Sequence, residues 1–153
     1  MFFKNKTVVI TGGAKGIGSA CTRAFYQEQA NVVILDTDPK GQELALELGP
    51  NALFILCDVS KEVPVKQAME QAVKTFGGID ILVNNAGIQR YSSVTETSEE
   101  EWDLVMNVNL KSAFLCAKHA IPLMQQKGAG VGRERLECSG IHQSKNSGAL
   151  CHL

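Results

Sequence analysis

The run Thr11-Gly12-Gly13-Ala14-Lys15-Gly16-Ile17-Gly18 sets glycines close together just ahead of a helix-like stretch. Glycines so placed let a chain turn tightly and bring backbone N–H groups to a phosphate at the positive end of a helix. The chemistry is anion binding by the main chain. Asp36 follows at an offset near the roughly 20 residues at which a carboxylate accepts hydrogen bonds from an adenosine ribose. Together they read as a dinucleotide site. Asp36 would also repel a 2′-phosphate, and Thr37 brings no compensating cation, so NAD is expected and NADP disfavoured. A purely structural turn would use the same glycines, and the neighbouring elements decide between the two readings.

Those elements alternate. Thr7 to Thr11 is a β-branched run, and Ile17 to Gln27 reads as a helix with Ile17, Cys21, Ala24 and Phe25 on one face. Asn31 to Asp36 is a second strand-like run. Asp38 can cap a helix that has Pro39 in its first turn, Leu44, Leu46 and Leu48 as apolar surface, and Gly49 as its stop. Ala52 to Cys57 makes a third strand. Ser60 can cap a helix carrying Val63, Val65, Met69, Ala72, Val73 and Phe76 and ending at Gly77-Gly78, before a fourth strand at Ile79 to Val83. Thr97-x-x-Glu100 is a capping box for a long helix from about Trp102 to Gln126. Strands this apolar are buried on both faces, as in parallel sheets covered by helices. The expected fold is α/β, a Rossmann-like doubly wound parallel sheet, incomplete at about four strands. A fifth strand is due after Gln126, and no strand-like run follows.

With 153 residues, 44% hydrophobic and 20% charged, the chain is an ordinary globular protein of one domain. Lys plus Arg number 15 against 16 for Asp plus Glu, so neither nucleic acid nor an acidic membrane is an expected partner. Met1-Phe2-Phe3 is too short for a signal core, and no stretch nears the ~20 apolar residues of a membrane helix, so a cytoplasmic location is expected. Five cysteines is an odd count, and Cys21, Cys57 and Cys116 fall in apolar segments as buried free thiols do. Cys138, His142, Cys151 and His152 are ligand types, but adjacent residues rarely both reach one ion, and no metal site is expected.

By these residues the chain resembles the short-chain dehydrogenase/reductase family. Thr11-Gly12-x-x-x-Gly16-x-Gly18 matches its cofactor turn, Asp58-Val59 resembles its contact to the adenine ring, and Asn84-Asn85-Ala86-Gly87 is similar to the element beside the nicotinamide-side ribose. Asn109 matches the asparagine that holds a helix kink and a proton-relay water. The resemblance runs from about Lys4 to Gln126. It implies cofactor contacts from Thr11, Gly12, Lys15, Gly16, Ile17, Gly18, Asp36, Asp58, Val59, Asn85, Ala86 and Gly87, and a catalytic role for Asn109. It also implies hydride transfer between NAD and a small-molecule alcohol or carbonyl, and a homo-oligomer in an intact relative. Each motif has a plainer reading: Asp58 at the start of a helix, Asn84 and Asn85 as loop caps, Asn109 as a solvated helix position.

The family pattern further implies a serine and then Tyr-x-x-x-Lys, in which the lysine lowers the pKa of a tyrosine that is otherwise a poor base near pKa ~10. Neither Tyr26 nor Tyr91 has a lysine four residues on, and Ser139 and Lys145 lack a tyrosine between them. The genetic code offers an explanation. Permitted codons for Arg133 to Gln143, read from the second base, spell VNVSSVQAFIS, an apolar strand followed by the family's serine. Continuing through Leu153 gives QKIVALYAT and the start of a serine codon, and a TAA stop would complete YATSK or YATSN. Residues 1–127 therefore read as a partial NAD(P)-binding Rossmann-like domain. Residues 128–153 read as a non-native, disordered tail created by a single-base frameshift near Gly128 to Gly132, in the gene or in its sequence read. Two function classes follow: an oxidoreductase by descent that is inactive as written, or a non-catalytic NAD-binding or regulatory fragment. Gln89, Arg90 and Tyr91 are the candidates for lining a substrate pocket, with an exposed polar loop as the alternative.

Overall fold

The computed structural model describes residues 2–128, 136–138, 141–143 and 149–152. Four strands form the body of the sheet: β1 Thr7–Thr11, β2 Asn31–Asp36, β3 Ala52–Leu56 and β4 Ile81–Asn84. They lie in the order β3-β2-β1-β4, and each pairing is parallel. The helices are α1 Gly16–Gln27, α2 Lys40–Leu48, α3 Glu62–Phe76, α4 Glu99–Met106 and α5 Ser112–Gln126, the last two joined by a π-helical turn, Asn107–Lys111. This is the doubly wound α/β sheet expected from the alternation of elements.

The apolar runs of β1, β2 and β4 are buried on both faces because each face meets a helical layer. Val9, Val33, Leu35 and Leu82 pack with Val65, Met69 and Ala72 of α3 and Leu115, Cys116 and Ala120 of α5. Val8, Ile10, Val32 and Val83 pack on the other side against Phe25 and Tyr26 of α1, and Ile34 meets Leu44 and Ala45 of α2. Fully burying one such side chain contributes about 1.5–3 kcal/mol, so this double layer carries the fold. Cys57 and Cys116 are buried and Cys21 is half-buried, all three as free thiols.

Several local expectations are corrected. Ile17, Leu46 and Val63, read as members of apolar faces, are 68%, 72% and 65% exposed; the buried positions of α1 are Gly18 and Thr22, which follow the close approach of α1 to the first turn. The cap of α3 is not Ser60 but Lys61, with no side-chain bond, because Asp58 takes both the Ser60 N–H and its hydroxyl. The N-cap stands one residue later than read: Ser98 Oγ accepts the Glu101 N–H, while the Glu101 carboxylate accepts the Ser92 hydroxyl. The long helix is interrupted at the π turn. The sequence also leaves β4 without an outer neighbour, whereas in the structure β7, Ala149–His152, lies parallel to it, with Ile81 opposite Ala149 and Asn84 opposite His152. An open strand edge carries unpaired N–H and C=O groups, and the short Ala-Leu-Cys run is able to meet them. Two further strands, β5 Leu136–Cys138 and β6 Ile141–Gln143, pair antiparallel. The rest of the 128–153 expectation, and the side chains of Cys138, His142, Cys151 and His152, lie outside the described residues. Among the described residues no helix is long and apolar enough to cross a membrane.

Candidate functional site

The carboxyl ends of β1, β2 and β4 open onto a cleft of about 470 Å³. Its floor is the β1–α1 turn. Gly12 and Gly16 have φ of +63° and +57°, conformations that a side chain disfavours. A Cβ on Gly18 would lie 2.0 Å from the Gly12 carbonyl oxygen, so only glycine lets α1 start this close to β1. The N-terminus of α1 has no side-chain cap and no acidic residue in its first turn. Its leading N–H groups are therefore unmet by side chains and carry the positive end of the helix dipole.

Polar side chains hold this turn from behind. Thr11 Oγ1 accepts the N–H groups of Asn85 and Ala86, both at 3.0 Å, and donates to the Val83 carbonyl. The Asn85 side-chain amide donates to the carbonyls of Thr11 at 3.0 Å and Gly12 at 3.1 Å. Thr22, fully buried in α1, donates to the carbonyls of Gly18 at 2.9 Å and Gly13 at 3.2 Å. These three side chains fix the glycine turn to β4 and to α1.

Asp36, at the end of β2, spans the turn and the next loop. Its Oδ2 accepts the Ala14 N–H at 2.9 Å and its Oδ1 the Asp38 N–H at 3.0 Å. A carboxylate oxygen has two lone-pair sites, so each retains capacity for a further donor from the cleft. Cys57, Asp58 and Val59 form a second wall. Burial, and then the neighbouring Asp58 charge, push the Cys57 thiol up to about 11, which keeps that thiol protonated and uncharged beside the Asp58 carboxylate. Asn109, on the π turn, accepts the Ile88 N–H at 2.8 Å through Oδ1 and donates to the Ile88 carbonyl at 2.9 Å through Nδ2. The extra residue of a π turn re-aims a side chain, and here it clasps the loop after β4.

Gly12, Lys15, Ile17, Gly18, Asp36, Asp58, Val59, Asn85, Ala86 and Gly87 thus line one cleft. Thr11, Gly16 and Asn109 do not line it; the first and last act through the loops they hold. Thr37 and Cys57 also line it, as do Leu35, Ile88 and Val108, which were not singled out from sequence because apolar wall residues look like any other core position. Thr22 was missed too; a polar residue on the buried face of a helix was the signal available. Gln89, Arg90 and Tyr91 stay outside the cleft, with the Tyr91 hydroxyl donating to Gln89 Oε1 at 2.9 Å and the Tyr91 residue 88% exposed.

The family model of the short chain dehydrogenases matches residues 6–131. The chain belongs to the short-chain dehydrogenase family. Relatives within that family include an uncharacterized oxidoreductase of Thermotoga maritima, 44% identical over 135 residues, covering 86% of this chain and 53% of that protein. Tropinone reductase-like 1 of Erythroxylum coca is 43% identical over 83% of this chain and 48% of its own length. A solved short-chain dehydrogenase fold, the 3-ketoacyl-(acyl-carrier-protein) reductase of Brucella melitensis complexed with NADH, superposes with a TM-score of 0.79 at 37% identity, over 82% of this chain and 53% of that one. The chain spans about half the length of these relatives.

Proposed function

We propose that the cleft binds NAD, with the pyrophosphate against the backbone of Gly12 to Gly18 and the adenosine ribose on Asp36. The observation that carries this reading is the uncapped N-terminus of α1 over a glycine turn with no room for a side chain at Gly18, with the Asp36 carboxylate on the same cleft. The residues fit the group. The turn supplies N–H donors where an anion would sit, Asp36 supplies acceptors for a diol, and Leu35, Val59 and the neutral Cys57 supply apolar wall. A 2′-phosphate beside Asp36 would meet like charge, which disfavours NADP. The NADH in the Brucella melitensis reductase supports the same cofactor class.

For the intact protein the reading is an NAD-dependent oxidoreductase of small-molecule alcohols or carbonyls, the bound NAD supplying hydride transfer. Asn109 spends its side-chain amide on Ile88, so its proposed part is positional: it sets the loop through which Gly87 and Ile88 wall the cleft. The homo-oligomer expected of an intact relative is proposed through the α4–α5 helix, which exposes Trp102 at 60% and Phe114 at 59%.

The 153 residues contain no Tyr-x-x-x-Lys, and permitted codons of the tail, read in the second frame, can spell a strand, a serine and Tyr-Ala-Thr-Ser followed by Lys or Asn. We propose that a single-base frameshift separates the two, and that the 153-residue chain binds NAD without turning it over. Nucleotides that spell VNVSSVQAFIS in the second frame support the frameshift, and any other codons refute it. Reduction of NAD with a panel of alcohols is the companion test, and turnover by the 153-residue chain contradicts the proposed inactivity.

A further inference from the structure

Lys15 and Asp36 line the cleft, and Asp38, which does not, bonds to both. Lys15 lines the cleft as the residue just before α1, and its Nζ lies 3.0 Å from Asp38 Oδ2. Asp38 is itself fixed: its Oδ1 accepts the Lys40 N–H at 3.0 Å, and its own N–H donates to Asp36 Oδ1 at 3.0 Å. The Lys40 N–H and the Lys15 ammonium hold the Asp38 carboxyl below the usual carboxylate range. The Lys15 side chain is 74% exposed, and among the described residues Asp38 is the ion-pair partner that restrains this long, flexible ammonium beside Asp36.

We infer that Asp38 is a cofactor-specificity residue that acts by holding Lys15: with the ammonium engaged on Asp38, the one cation that lines this cleft among the described residues is withheld from a phosphate on the adenosine ribose. The inference rests on the NAD reading of the cleft and adds a second device to the repulsion from Asp36. Asp36 rejects the phosphate by its own charge, and Asp38 removes the counter-charge that would offset the rejection. The hold is adjustable because exposed ion pairs are weak and screened by salt. Releasing it therefore changes affinity several-fold and leaves Asp36 as the main barrier.

The test is a titration of the 153-residue chain with NAD and with NADP, repeated for Asp38→Asn, Lys15→Ala and the double variant. Asparagine at this position keeps an oxygen for the Lys40 N–H and loses the charge. The wild-type chain is expected to bind NAD in preference to NADP. Asp38→Asn is expected to raise NADP affinity by about 3- to 10-fold and leave NAD within about twofold, with a gain that shrinks at high salt. Lys15→Ala in the Asp38→Asn background is expected to erase the gain. A gain that survives loss of Lys15, no gain at all, or an equal change for both dinucleotides overturns the inference while NAD binding by the wild type leaves the cleft reading standing. A wild type that binds neither dinucleotide overturns both. Asp38→Ser, whose uncharged hydroxyl can also accept the Lys40 N–H, repeats the measurement should Asp38→Asn not fold.

Discussion

Two aspartates at opposite ends of the sheet show how one residue type is put to two uses. Asp80 precedes β4 at the amino end, and its side chain is 6% exposed. Its Oδ2 accepts the Thr7 N–H at 2.8 Å and the Lys127 ammonium at 2.5 Å, and its Oδ1 accepts Lys6 at 3.2 Å. Asp36 ends β2 at the carboxyl end, accepts two backbone N–H groups, and among the described residues forms no ion pair. Every strong donor near Asp80 comes from within the chain, so it ties β1, β4 and the end of α5 together. Asp36 is oriented equally firmly but keeps open acceptor capacity on a cleft wall. Orientation without saturation separates the carboxylate proposed to bind ribose from the structural one.

The contrast can be broken most severely at the turn that Asp36 serves. Gly18→Ala forces a Cβ against the Gly12 carbonyl and the Asn85 amide, and is expected to abolish NAD binding and cost about 2 kcal/mol or more in a denaturant melt. At the other end, Asp80→Ala leaves the buried Thr7 N–H unpaired and frees Lys127, at an expected cost of about 2–3 kcal/mol in the same melt, with NAD affinity of the folded fraction preserved. Burial alone would push the Asp80 carboxyl up, but bonds from Lys127, the Thr7 N–H and Lys6 together hold it below its ordinary value. A depressed folded pKa contributes stability that is present above the ordinary carboxylate pKa and is lost as pH falls through the depressed one. Thermal melts of the wild type should therefore fall as pH drops below about 4. Asp80→Asn should flatten that acid limb, and an unchanged slope would remove Asp80 from the clasp. The smallest effect is expected from Asn109→Ala, which loses two solvent-accessible bonds to Ile88: about 1 kcal/mol and a few-fold weaker NAD binding by titration.

The carboxyl end was the more legible of the two. A glycine series after a β-branched run and an acid at the end of the next strand are local signals, because phosphate and ribose recognition depend on short spacings. The β-α alternation was legible for the same reason, since a strand buried on both faces writes a continuous apolar run. Asp80 was silent because it interrupts such a run, Ile79 to Val83, and its partners Lys6 and Lys127 are distant in sequence. Thr22 was hidden by its carbonyl partners, which only the close approach at Gly18 brings within reach. The π turn was invisible because a helix with one extra residue keeps an apolar pattern much like an α-helix, so Asn109 carried its signal through resemblance alone. The seating of β7 on β4 depends on strand pairing between distant segments, which a tail without alternation does not announce.

The central claim is that Asp36 grips a ribose while the Gly12–Gly18 backbone holds the pyrophosphate, and calorimetric titration of the folded chain with NAD, beside Asp36→Ala, tests it most directly. The account predicts saturable one-to-one binding by the wild type, weakened about tenfold in the variant, with discrimination against NADP relaxed. A folded wild type that gives no binding heat at millimolar NAD, or an Asp36→Ala variant that binds as tightly as the wild type, would contradict it.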